Sequence, residues 1–360
     1  MTTKSLVQHS GQPAAIRRRP YPPSWVNRLV AWVERLPGPP WPIYWSVALF
    51  LIALHMVINW ADGIGAVSTF KPFHIVAAGG GVYYLALIHY LDRTATTVLD
   101  RFRPALELRE GDYDEMRYRL TTLPAREARY TTYLGVAMGL VEMIAIAQGL
   151  FLPGLNAFIS PAATAFVAAI GVFGTLMMVL FAYHTLHQLR VINQIFTRHT
   201  RIDLFALGPL YAFSHLTART AVGWLLITYA WVATEPRVEG DLVALGNAVV
   251  VASLGLAAFV WPLLGIHRLL AAEKERAIAA VTYRLKLSYE GLNRRVDEGR
   301  FEETASLSEA ANGLQGELAY LEKIPTWPWQ PETVRGVLTA VVLPILLWLV
   351  TTLLERMVVF

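Results

Sequence analysis

The chain has 360 residues, of which 55% are apolar and only 16% charged, against about 25% charged in ordinary soluble domains. A mean hydropathy of +0.41 and repeated apolar runs of about 20 residues point to an all-α, polytopic membrane protein. The absence of cysteine excludes disulfides, thiolate metal centres, iron–sulfur clusters and cysteine nucleophiles. The net charge of +4 is small, so its distribution carries more information than its size.

Residues 1–40 are basic and proline-rich, with Arg17-Arg18-Arg19-Pro20 and a Pro37-Gly38-Pro39 turn. They lack the central apolar region of a cleavable signal. Within them, Ser24–Leu36 sets Trp25, Leu29, Trp32 and Leu36 at helical spacing. Ser24 is placed to cap this helix, and the prolines from Pro37 onward end it. Two tryptophans beside a basic tract predict an interfacial helix on the inner leaflet.

Seven apolar segments follow: Trp41–Trp60, Pro72–Leu91, Thr131–Leu152, Pro161–Leu186, Thr217–Thr234, Leu242–Ile266 and Val334–Leu354. Of the 31 lysines and arginines, 28 fall in segments 1–40, 92–130, 187–220 and 267–335. The excess of positive charge on one side predicts a cytoplasmic N-terminus and an outside C-terminus. Residues 92–130 balance eight basic with eight acidic groups and read as a solvated connector. Residues 202–214 are too apolar for a free loop and too short to span, so they are expected at the interface or re-entering it.

Between spans six and seven, Ile278, Val281, Leu285, Tyr289, Leu292 and Val296 step by three and four. Beyond Asp297-Glu298-Gly299-Arg300, Leu307, Ala310, Leu314, Leu318 and Leu321 do the same. Two such stripes around a polar turn predict a cytoplasmic antiparallel hairpin with coiled-coil character. The expected organisation is therefore a basic tail with its interfacial helix (1–40), a six-helix transmembrane part (41–266), the hairpin (267–325), and an aromatic collar with the seventh span (326–360).

Soluble-enzyme signatures are missing: there is no G-x-x-x-x-G-K-[ST], H-E-x-x-H, G-x-S-x-G or complete G-x-G-x-x-G. No catalytic residue and no cofactor are expected, and the sequence names no metal. Glu142 lies near the middle of span three, where a carboxylate costs on the order of 3 kcal/mol and needs a partner. Depth along the spans nominates Asn247, His55 and Gln148. The site is a cation or proton site, a pore-lining group, or a protonated glutamic acid hydrogen-bonding between helices. His89, His184, His187 and His267 gather at the inner ends of the spans, as a pH-sensitive or metal-binding cluster or as plain helix-end residues. Trp327 and Trp329 form a collar ahead of span seven, and Pro344 places a kink inside it, a combination suited to a gate. Gly79-Gly80-Gly81 and Gly135-x-x-x-Gly139 are small-residue helix contacts.

Seven spans, an inside N-terminus, an outside C-terminus and a cytoplasmic extension between spans six and seven resemble the seven-transmembrane ion channel superfamily that contains insect odorant and gustatory receptors. The likeness covers topology and includes the interfacial helix. The last span, from Val334 through Leu349, lacks that family's Thr-Tyr and Gln-Phe pattern. What the resemblance implies is a homo-oligomeric channel or receptor whose last span lines the pore. A non-catalytic scaffold docking a cytoplasmic protein through the hairpin is the second expectation, and a secondary transporter coupled through Glu142 the third. The expected partners are the bilayer of the cell membrane, further copies of the chain, and an ion or cytoplasmic protein. Nucleic acid is not expected, because Arg17–Arg19 is explained by orientation and anionic lipid.

Overall fold

The computed structural model describes residues 19–63, 71–107, 110–151, 160–234, 242–328 and 332–342. In chain order the helices are α1 (Trp25–Arg35), α2 (Trp41–Ala61), α3 (Phe73–Phe102), α4 (Glu110–Thr121), α5 (Ala125–Ala147), α6 (Pro161–Arg198), α7 (Ala212–Thr234), α8 (Leu242–Asp297) and α9 (Thr304–Lys323); residues 332–342 are also helical. The fold is all-α, and among the described residues the only β pairing is two isolated bridges.

Local chemistry sets the helix limits. The Ser24 hydroxyl accepts the Asn27 N–H to start α1, and Ser160 does the same for Ala163 ahead of Pro161 in α6. At the other end, Gly149 and Gly299 take positive φ angles of 71° and 73°. Each lets the next residue's N–H reach back to a carbonyl of the last turn, Leu150 to Ala145 and Arg300 to Arg295.

Five segments are long and apolar enough to cross a membrane: Trp41–Ala61, Phe73–Ala105, Ala125–Ala147, Pro161–Arg198 and Leu242–Asp297. This marks the chain as a helical membrane protein. Three of them run well past the expected ends, because nothing in the polar sequence beyond the apolar run breaks a helix. Seven spans were the expectation. The fifth, Thr217–Thr234, belongs to α7, which is long enough but diluted by Ser214, Thr217, Arg219 and Thr220; those two threonines and Ser214 are buried with Phe213, Leu216 and Trp224. Of the seventh, only residues up to 342 are described.

The bundle is built around α3, which has 56% of its apolar window buried, against 11% for α2. It packs on α2, α4, α6 and α7. Tyr84, Phe181 and Trp224 join in one aromatic cluster, and Phe102, Phe196 and Phe213 in another. The second cluster explains residues 202–214. They are apolar because Leu204, Leu210 and Phe213 enter the protein core through a short 3-10 turn into α7, where the sequence suggested contact with the membrane interface. On α5, Gly135 and Gly139 lie against α6 so closely that a Cβ would come within 2.9 Å of Leu176 Cα and 2.8 Å of Val172 Cα.

Two more sequence expectations change in detail. The stripe that seats α1 is Val26, Val30 and Val33, while Trp32 stays 55% exposed. The connector 92–130 is no free loop: α3 continues into it as far as Phe102, and Met116, Leu120 and Leu123 of the α4 region are buried. Past the bundle, α8 and α9 lie antiparallel. Lys274 Nζ donates to the carbonyls of Glu322 and Ile324, and Gln315 Nε2 donates to Tyr289 Oη.

Candidate functional site: the polar end of α3

The apolar run of α3 gives way to charge at His89, Asp92 and Arg93, and here the structure concentrates its buried polar groups. His89 and Asp92 stand three residues apart on the buried face, yet they serve different neighbours. His89 Nε2 donates to Glu34 Oε1 at 3.1 Å, and its Nδ1 meets Tyr44 Oη at 3.0 Å. In the neutral ring Nε2 carries the proton, because the carboxylate can only accept; Nδ1 then accepts from the phenol. Asp92 Oδ1 accepts from His184 Nε2 at 2.8 Å and from Gln188 Nε2 at 3.2 Å. Gln188 also donates to the Leu120 carbonyl, tying α4 into the network. The other nitrogen of His184 is buried with no hydrogen-bond partner among the described residues.

The four helix-end histidines are thus dispersed. His187 Nε2 donates to the Arg119 carbonyl. His267 Nδ1 donates to Thr326 O, and its ring stacks on Trp327 with centroids 4.0 Å apart. Among the described residues no group of three or more His, Cys, Asp or Glu is placed to hold a metal, so a shared histidine metal centre is not formed. The groups that complete this region, Glu34, Tyr44, Asp92 and Gln188, were passed over in the sequence. Asp92 carried one usable signal, being the first carboxylate after an apolar run and one helical turn from His89.

Glu142 finds a different partner from those nominated by depth: Thr175 Oγ1 of α6 donates to its Oε2. The carboxyl sits on the α5–α6 seam, one turn beyond Gly139. Asn247 is exposed on α8 and Gln148 is exposed past the end of α5. His55 turns to His74, with the two Nδ1 atoms 3.3 Å apart, while Asn59 Nδ2 donates to its carbonyl. Depth matching does not bring Glu142, Asn247, His55 and Gln148 together, because it contains no information on which way each helix face points. Trp329 and Pro344 lie outside the described residues.

A cleft of about 860 Å³ opens beside the network, between α1, α3 and α4. Its α1 wall is fastened through the polypeptide strand before it. Ser24 N–H donates to Leu123 O, Asn27 accepts from Leu123 N and donates to Thr121 O, and Trp25 Nε1 donates to Thr132 Oγ1. Tyr21 donates to Thr122 O. Burial and the neighbouring Tyr118 phenol hold the Tyr21 hydroxyl well above its usual pKa, so it stays a neutral donor.

An all-α membrane protein with a buried polar network at one end of its bundle is the class these features define. The chain matches no protein-family model, no curated protein and no solved structure.

Proposed function

We propose that the chain is an ion channel, or a channel-like sensory receptor, of the cell membrane, gated from the side of the α8–α9 hairpin and working as a homo-oligomer. In this reading the arginine-rich end of the bundle is cytoplasmic and residues 334–354 are a seventh, pore-lining span. The observation that supports it is the joint between hairpin and last helix. The Lys274 ammonium clamps the carbonyls of Glu322 and Ile324, and His267 holds Thr326 and Trp327. Val337 then packs with Ala218, Ala221, Phe259 and Leu263 of α7 and α8. A displacement of the hairpin is therefore carried along α8 and delivered directly to the chain leading into the last helix. Two packed arrangements of such a joint are what a gate needs.

The test is ion flux from liposomes holding wild type, Glu142→Gln and Lys274→Gln, at mildly acidic and neutral pH. Channel function predicts flux above that of empty liposomes, altered by Lys274→Gln. Altered flux in Glu142→Gln would extend the pathway to the α5–α6 seam. Verified, folded insertion with no flux in any of the three counts against conduction. It would favour the scaffold reading, which draws support from exposed Tyr283, Leu287, Phe301 and Tyr320 on the hairpin.

A further inference from the structure

From the arrangement of arginines around the cleft between α1, α3 and α4, we infer a binding site for a phosphate-bearing anion, supplied by the headgroup of an anionic lipid. Five arginines line it: Arg19, Arg28 and Arg35 from α1 and the residues before it, Arg93 from α3 and Arg117 from α4. They converge from three separate segments on one concavity, which distinguishes them from charges spread along one solvated helix face. Two carboxylates share the cleft, and both are engaged. Asp92 accepts from His184 and Gln188; Glu34 accepts from His89 and lies 3.9 Å from Arg93 Nε. Among the described residues, Arg28, Arg35 and Arg117 have no carboxylate within ion-pair distance.

Guanidinium groups without a carboxylate partner around a hollow present forked N–H donors, the arrangement that phosphate oxygens satisfy. The cleft, of about 860 Å³, leaves room for a phosphate together with its glycerol. The location selects a lipid as the source. The cleft lies where α3 passes from apolar to charged residues, and α1, which lines it through Ala31, Glu34 and Arg35, carries an exposed Trp32 outside the cleft. Trp41 and Trp45 at the start of α2 are likewise exposed, and tryptophan favours the level of the headgroups. The inference needs no conduction and stands whether or not ions pass through the protein.

Calorimetric titration of the full-length protein in detergent tests it, with dihexanoyl phosphatidic acid, dihexanoyl phosphatidylcholine and inorganic phosphate as probes. Phosphatidic acid is expected to bind saturably, more weakly as salt is raised, with phosphatidylcholine and inorganic phosphate at least tenfold weaker. Each of Arg28→Gln and Arg117→Gln should weaken phosphatidic acid roughly tenfold. Both arginines are exposed, so these variants leave the fold intact, which an unchanged melting midpoint verifies. Arg276→Gln on the distant hairpin should leave binding as it is. Inorganic phosphate binding as tightly as phosphatidic acid would overturn the lipid source and leave a soluble phosphate as the ligand. No binding of either by folded wild type, unaltered binding in both cleft variants, or equal loss with Arg276→Gln would overturn the site.

Discussion

Both α3 and α8 begin as apolar membrane helices and continue, unbroken, into polar sequence, yet the two continuations end in opposite surroundings. On α3, Leu91, Ala95, Leu99 and Phe102 are all 0% exposed, because α4, α6 and the turn into α7 close around them. On α8 beyond Leu270, Val281 is the one fully buried large side chain among the described residues; α9 is its main neighbour there. Similar helical stripes therefore produce a sealed core in one place and a half-covered seam in the other. Burial is set by how many elements converge on a helix, and the periodicity of one strand of sequence does not contain that number.

That contrast can be broken most directly at the α3 core. Phe102→Ala removes a ring held between Phe196 and Phe213 and should cost about 4 kcal/mol, read as a large fall in the thermal midpoint in detergent. Next, Asp92→Ala strips the acceptor from His184 and Gln188 and should destabilise by about 3 kcal/mol; a double-mutant cycle with Gln188→Ala should show strong coupling between the two. Gly139→Ala pushes a Cβ into the α6 backbone at Val172. A loss of about 2 kcal/mol is expected there, and Gly174→Ala, where a Cβ meets nothing, should cost far less. The smallest effect belongs to the hairpin. Tyr289→Phe, which leaves the exposed Gln315 bond without its acceptor, should change stability by no more than about 0.5 kcal/mol, while amide exchange rises locally in α8 and α9 and not in α3. Equal exchange in both regions would erase the distinction.

Helical class and the five long apolar helices were legible from hydropathy, because a 20-residue apolar run has few other uses. The status of α7 was not, since Phe213, Leu216 and Trp224 look the same in sequence whether lipid or protein covers them. The same ambiguity hid the reason for the apolar 202–214 segment. The α1 helix and its tryptophan stripe were legible, while the second stripe, Val26, Val30 and Val33, by which the bundle seats it, was not read from the sequence. The polar network illustrates a further limit. Asp92 and His184 are 92 positions apart, and Thr175, the partner of Glu142, is an ordinary residue of an apolar helix. Side chains of this kind are recruited by azimuth and neighbour, neither of which is written locally. The cleft arginines were visible one by one, while their convergence depends on α1 folding back upon α4.

That fold-back sets an order of events. The hydrogen bonds that seat α1 run from Tyr21, Ser24, Trp25 and Asn27 to acceptors and donors between Leu123 and Thr132, or to Thr121 and Thr122, about a hundred residues later in the chain. During synthesis α1 therefore lacks these bonds until α4 and the start of α5 exist, and before then α3 offers it only His89 for Glu34 and part of its apolar seat. The wall of the arginine cleft is thus made first and fastened late, and a chain interrupted before α4 carries Arg28 and Arg35 without the opposite wall that holds Arg117.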